Sequence, residues 1–201
     1  MTVRHLALWS EDALCSALGA ALVAQSGVAV QIDINTIAGG AGPFKAKIGA
    51  MNNIALNVMP VLMIADGDQD NCVVKQRNAW FPRHASPRLA LRLAVREAES
   101  WILADHEGFS DFANISRNAL PPDPENLPDP KRALLDFIKR CKRRDLREEM
   151  LAPRTARSLT GLGYNLHLAD FVKNHWQAAR AASRAPSLAR AIPRIAALLQ
   201  M

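Results

Sequence analysis

Hydrophobic positions along this chain switch between a period of two and a helical period, and the switching lays out strands and helices in turn. Val3 to Trp9 is apolar apart from Arg4 and His5 and predicts a first strand. Ala13 to Gln25 places Leu14, Leu18 and Leu22 on one face of a strong helix former. Ser10 is its expected N-cap, and Glu11 and Asp12 in the first turn suit the positive end of the helix dipole. Val28 to Ile37 predicts a second strand, one face of which carries Gln31, Asp33 and Asn35. Glycines at 39, 40 and 42 break the pattern before a helix from Phe44 to about Leu56. Val61 to Ala65 is a continuous apolar run of the kind a fully buried strand shows. Val73 to Trp80 predicts a helix, Arg88 to Val95 a half-buried strand, and Glu97 to Asp105 a further helix. Strands alternating with helices predict an α/β fold with a mainly parallel central sheet flanked by helices.

Beyond residue 105 the pattern turns helical. Residues 106 to 113 predict a short helical turn, and Ala119 to Lys131, with Pro121, Pro122, Pro124, Pro128 and Pro130, a rigid extended connection. Asp129 then caps a helix that has Pro130 at its first position and runs to Lys142. Further helices are expected over Arg143 to Met150, Tyr164 to Trp176 and Pro186 to Gln200, the last kinked or interrupted by Pro193. On this reading residues 1–115 form the α/β domain, and residues 116–201 a connector and basic C-terminal helical region packed on it.

Charge sharpens that division. Residues 1 to 130 carry 10 Lys/Arg against 14 Asp/Glu, residues 131 to 157 carry 10 against 4, and residues 158 to 201 carry 5 against 1. An acidic part joined to a basic part suits an enzyme that holds cations at one place and a polyanion at another. Basic runs are also the solvated faces of amphipathic helices, which is the commoner case. Cys15, Cys72 and Cys141 are odd in number and widely spaced, so neither a disulfide framework nor a zinc site is expected. The longest apolar stretch, Ala13 to Ala24, is too short to span a bilayer, and the amino terminus does not have the form of a signal peptide. A cytoplasmic location with no membrane contact is therefore expected.

The chemistry concentrates at strand ends. Asp66, Asp68 and Asp70 follow the buried run Val61 to Ala65, and carboxylates crowded together repel unless a cation or a proton intervenes. Glu11 follows the first strand and Glu97 and Glu99 follow the fourth, and strands of a parallel sheet present such ends on a common rim. Mg²⁺ or Mn²⁺ suits oxygen donors of this kind. An Asp/Gly turn, for the third strand, and a helix cap, for Glu11, are the plain structural alternatives. Lys45 and Lys47, after the glycines, and Arg140, Arg143, Arg144 and Arg147 are candidates to hold a nucleic-acid backbone without reading its sequence. Trp101 and Trp176 are expected in the core, and few aromatics are left for stacking on bases.

A strand ending in Glu followed by a strand ending in Asp-x-Asp resembles the Toprim fold of topoisomerases, primases and the nuclease domains of overcoming-lysogenization-defect proteins. More closely, Ala94-Val-Arg-Glu-Ala-Glu-Ser-Trp-Ile-Leu-Ala-Asp105, Leu127-Pro-Asp-Pro-Lys131 and Gly163-Tyr-Asn165 resemble an uncharacterised bacterial Toprim-like family, over nearly the whole chain. The resemblance implies a Toprim-like Rossmannoid domain and a divalent-metal phosphodiester enzyme with Glu11, Asp66 and Asp68 as the acidic triad. It also implies a setting in phage defence or abortive infection, beside an ATPase encoded nearby. Trp9-Ser10-Glu11-Asp12 departs from the family by lacking the Glu-Gly turn many Toprim proteins have there.

The expected activity is thus a Mg²⁺- or Mn²⁺-dependent nuclease acting on DNA or RNA, in which Glu11, Asp66 and Asp68 bind metal. Asp70, Glu97 or Glu99 completes the shell, and Lys131 neutralises charge developing on the phosphate. The alternative is a non-catalytic subunit of the same fold that binds nucleic acid or an ATPase, or assembles with itself, and uses its acids for structural ion pairs. A phosphoryl-accepting receiver domain also clusters aspartates at a strand end, but the large basic helical half fits it poorly.

Overall fold

The computed structural model describes residues 3–68, 72–153 and 155–201. Four parallel strands, β1 (Arg4–Ser10), β2 (Val30–Ile37), β3 (Val61–Asp66) and β4 (Leu89–Ala94), form one sheet in the order β2-β1-β3-β4. β1 therefore has its successor on one side and the third strand on the other. The order reverses between β1 and β3, and such a point opens a crevice at the carboxyl ends of the two strands.

The period of two decides which residues enter which layer. Leu6, Leu8, Leu62, Ile64, Ala90 and Ala94 join one core, while Ala7, Val61, Met63, Ala65, Leu89, Leu91 and Leu93 join the core on the opposite face. The first face is covered by α1 (Ala13–Ala24), α5 (Ala98–Ala104) and most of the helices beyond residue 105; the second by α2 (Ala41–Ala46), α3 (Ile48–Asn57) and α4 (Val73–Trp80). β4 is buried on both faces apart from half-buried Arg92, whereas the alternation of leucine with small or charged residues predicted one solvated face. Its alanines face the helices that pack against them.

Local sequence explains most element boundaries. The N-cap of α1 is Asp12, whose carboxylate accepts from the Cys15 amide at 2.8 Å; Ser10, the expected cap, belongs to β1. The single helix expected from Phe44 to Leu56 is two helices divided at Lys47. After α5 come α6 (His106–Ala113), 3-10 turns at Arg117–Ala119 and Pro124–Asn126 inside the proline-rich connection, and α7 (Pro130–Arg140), α8 (Arg144–Met150), α9 (Tyr164–Asn174), α10 (Ala178–Ala182) and α11 (Pro186–Leu199). Asp129 caps α7 as expected, accepting from the Arg132 amide at 2.7 Å. α10 was not anticipated, and α11 continues through Pro193 without interruption.

The later helices share a core with the sheet. Trp101 and Trp176 are fully buried, with Trp176 Nε1 donating to the Trp101 carbonyl and Trp101 Nε1 donating to Ser187 Oγ on α11. Asp105, also fully buried, accepts from the Gly108 and Gln177 amides and pairs with Arg180 on α10 at 2.7 and 2.8 Å. Among the described residues no helix is long and apolar enough to cross a membrane.

Candidate functional site

Glu11 and Asp66 lie at the carboxyl ends of β1 and β3, flanking the point where strand order reverses. The Asp66 amide donates to Glu11 Oε2 at 3.1 Å, which turns the glutamate across the sheet edge toward β3. Asp66 Oδ1 accepts from the Ala98 amide at 2.8 Å and from the Cys15 thiol at 3.8 Å, while Gln76 Nε2 donates to the Asp66 carbonyl at 3.0 Å. Asp66 Oδ2 and Glu11 Oε1 accept no hydrogen bond from the described residues.

The turn after Asp66 requires glycine. The Gly67 amide donates to the carbonyls of Ala94 and Arg96 at 2.7 and 2.8 Å, and a Cβ there would lie 2.8 Å from the Ala94 oxygen. This close approach draws the loops after β3 and β4 together and sets exposed Asp68 on the same rim.

Electrostatics at the rim are those of crowded carboxylates. Burial, and then the charges of Glu99, Asp12 and Glu11, push the Asp66 carboxyl up to about 9, against which the bond from Ala98 acts. Glu11 is raised by burial and by Asp68 and Asp12, with the Asp66 amide opposing the shift. Burial and the charge of Asp66 raise the Cys15 thiol well above its usual value.

A second group adjoins the first. Glu99, on α5, is buried; Tyr164 Oη donates to its Oε1 at 2.7 Å and Lys131 Nζ lies 3.6 Å from the same oxygen. Burial outweighs both partners and leaves Glu99 raised. Lys131 sits 5.3 Å over the Tyr164 ring, and although burial works against its charge, Glu99, Asp12, Glu97 and Asp66 together hold its pKa above the usual lysine value. Tyr164 reaches this place because Gly161 packs on the end of α8, where a Cβ would lie 2.3 Å from the Glu149 carbonyl oxygen. Burial and Glu99 raise the tyrosine hydroxyl in turn.

The expected site residues are therefore only partly gathered. Glu11, Asp66 and Asp68 share the rim, with Glu99 and Lys131 beside them. Glu97 turns to α7, its Oε2 accepting from the Lys131 amide at 2.9 Å, so it caps a helix instead of facing Asp66. Asp70 lies outside the described residues. Asp12, Cys15 and Tyr164 belong to the cluster without having been assigned to it; Asp12 stands at the expected helix end and Tyr164 in the Gly163-Tyr-Asn165 motif, while nothing local marks Cys15.

The expected phosphate grip fares differently. Arg143 pairs with Asp145 and lies over the Phe112 ring, Arg144 pairs with Glu148 at 2.6 Å, and Arg147 donates to the Cys141 carbonyl. Arg144 is engaged by an i,i+4 partner on its own helix, whereas Arg143 and Arg147 are engaged at the turn between α7 and α8, by Asp145 and by the Cys141 carbonyl that ends α7. Arg140 is exposed, makes no hydrogen bond or ion pair among the described residues, and lies at the far end of α7 from Lys131, roughly 13 Å by helical rise. Lys45 and Lys47 are likewise exposed, beyond a glycine loop whose Gly39 and Gly40 amides donate to the Glu11 carbonyl at 2.9 and 3.1 Å. Those amides serve the fold and are not aimed at a ligand.

The donor set fits a hard divalent cation in kind, since hard carboxylate oxygens crowd one rim, where burial and neighbouring carboxylates raise Asp66. In arrangement the fit is looser: among the described residues no three His, Cys, Asp or Glu side chains are gathered closely enough to hold a metal ion. Mg²⁺ commonly uses one or two carboxylates with waters and substrate phosphates, and needs no such cage. Comparison with protein-family models, with curated proteins and with solved structures finds no match to this chain.

Proposed function

We propose that the protein is a divalent-metal-dependent nuclease of the Toprim type, with Glu11, Asp66 and Asp68 binding Mg²⁺ or Mn²⁺ at the rim of the sheet. The observation that carries this reading is the convergence of Glu11 and Asp66 at the strand-order reversal, where burial and three neighbouring carboxylates push Asp66 to about 9. A structural carboxylate is ordinarily matched by a cation or by several donors, and the rim instead collects like charge. A bound dication would polarise a phosphodiester and lower the pKa of a water. Glu11 and Asp66 would supply carboxylate oxygens to hold the cation. Lys131, half-exposed and still charged beside Glu99, is placed to stabilise negative charge on a phosphate. The motif resemblance, and not the geometry, supports the setting in phage defence and an ATPase partner.

The test is cleavage of DNA and RNA by the purified chain with Mg²⁺ or Mn²⁺, with and without EDTA. Metal-dependent cleavage lost on Asp66→Asn or Asp68→Asn sustains the reading; cleavage that survives EDTA or either substitution rejects it. One observation favours a second reading, a non-catalytic subunit that binds nucleic acid or an ATPase. Glu97 and Glu99 are both committed to structural bonds, and no three-ligand group is assembled among the described residues. Absence of cleavage under every metal, together with retained binding of such a partner, is the outcome for that case.

A further inference from the structure

A cavity of about 650 Å³ opens at the β4 edge of the sheet, between α4 and α11, with Val73 and Val95 at its end toward the acidic rim. Four arginines line it from three elements: Arg77 on α4, Arg92 on β4, and Arg190 and Arg194 on α11. Among the described residues that line it none is Asp or Glu, and none of the four makes an ion pair among the described residues. Glu125, whose charge reaches Arg190, is itself bound by the amide and hydroxyl of Ser187.

Two of the guanidiniums are under-satisfied at Nε, although Arg77 also lies 4.7 Å over the Phe81 ring and donates through Nη1 to Asn78 Oδ1 at 3.4 Å. Nε of Arg77 and Nε of Arg92 are buried with no hydrogen-bond partner, an expensive state for a charged donor. Burial, then the charges of Arg77 and Arg194, lower Arg92 to about 10. A single inward charge on an edge strand guards against edge-to-edge pairing, which accounts for Arg92 but not for three further arginines brought by two helices. Guanidinium forks match phosphate oxygens in pairs, and the volume falls in the range of about 300–1,000 Å³ usual for small-ligand pockets.

We propose that this cavity is a binding site for an oligophosphate anion, held by Arg77, Arg92, Arg190 and Arg194. Several phosphates are needed because one would leave most of four positive charges unmatched. Free polyphosphate and a nucleoside triphosphate present the same oxygens to the site.

The experiment is isothermal titration of the full chain at low salt with sodium tripolyphosphate and, separately, with ATP, in EDTA so that no metal carries the anion to the carboxylates. Saturable binding is expected, weakened roughly 10-fold or more by Arg92→Gln and roughly 100-fold by the exposed pair Arg190→Gln and Arg194→Gln together. Lys139→Gln with Arg140→Gln, on α7, leaves it unchanged. Thermal melts read the same interaction independently: both anions raise the midpoint of the wild type but not of the double variant. ATP binding tighter than tripolyphosphate assigns the phosphates to a nucleotide, and equal affinity assigns recognition to the phosphates; both sustain the site. No binding of either anion, or equal weakening by the α7 substitutions, overturns it.

Discussion

The backbone amide of Asp66 donates to Oε2 of Glu11 at 3.1 Å, so the carboxylate leaving β1 is positioned by the main chain leaving β3. Glutamine keeps that acceptor while removing the charge. Glu11→Gln is therefore expected to fold with a thermal midpoint close to the wild type, yet to lose metal-dependent cleavage by about 100-fold or more. A variant that unfolds, or one that cleaves normally, contradicts the role assigned to Glu11.

Stability should depend on pH through Asp66. Its carboxyl titrates at 3.8 when unperturbed and is pushed up to about 9 in the fold, so between those values the folded state holds a proton that the unfolded chain has released. Stability contributed by that proton is complete below the lower value and is lost as pH rises toward the upper one. Glu11, Glu97 and Glu99, all raised, act with the same sign; Lys131, raised above 10.5, retains its contribution across the window. Thermal melts in EDTA are expected to show a midpoint that falls from acid to mildly alkaline pH, with a shallower fall in Asp66→Asn. Added Mg²⁺ should stabilise more at the alkaline end, where it replaces the departing proton.

Tyr164→Phe removes the hydroxyl that donates to buried Glu99 at 2.7 Å and leaves Lys131 as the remaining side-chain partner of that carboxylate. The expected loss is about 1–3 kcal/mol in urea unfolding. Unchanged stability would mean that the pair is not formed in solution.

Asp105 and Arg180 join the end of α5 to α10 through two bonds onto a carboxylate with no solvent exposure. Arg180→Ala strands that charge and should cost about 3 kcal/mol, the lower end of the usual range because a third of the arginine side chain meets solvent. By contrast Arg144→Ala, which breaks an exposed, solvent-screened pair on α8, should leave stability close to that of the wild type. Equal effects in chemical denaturation would refute the contrast.

Alternating side chains made the strands readable, because one residue forward always turns the next side chain to the other face. That is why Val61 to Ala65, apolar on both faces, could be recognised as a strand buried on both sides, and why Glu11 and Asp66 could be placed at equivalent strand ends. The same rule misjudged β4, since Arg92 between Ala90 and Ala94 suggested a solvated face, yet the small alanines are close-packed under α11 and its neighbours. Ser10 was misread as a cap because both Ser10 and Asp12 suit that position, and hydrogen-bonding in β1 claims the first.

The chain's own sequence determined the parallel α/β arrangement and put acids where β1, β3 and β4 end, since side-chain period and strand-to-helix joints are local properties. Only the tertiary structure decided which charges are spent and which are left over. Arg143, Arg144 and Arg147 are engaged by groups a few residues away, while Arg77, Arg92, Arg190 and Arg194, scattered over more than half the chain, face one cavity without acids among the described residues that line it. A charge is satisfied or stranded by the distance between packed elements, and that distance follows from how the cores close on the two faces of the sheet, not from the order of neighbouring residues.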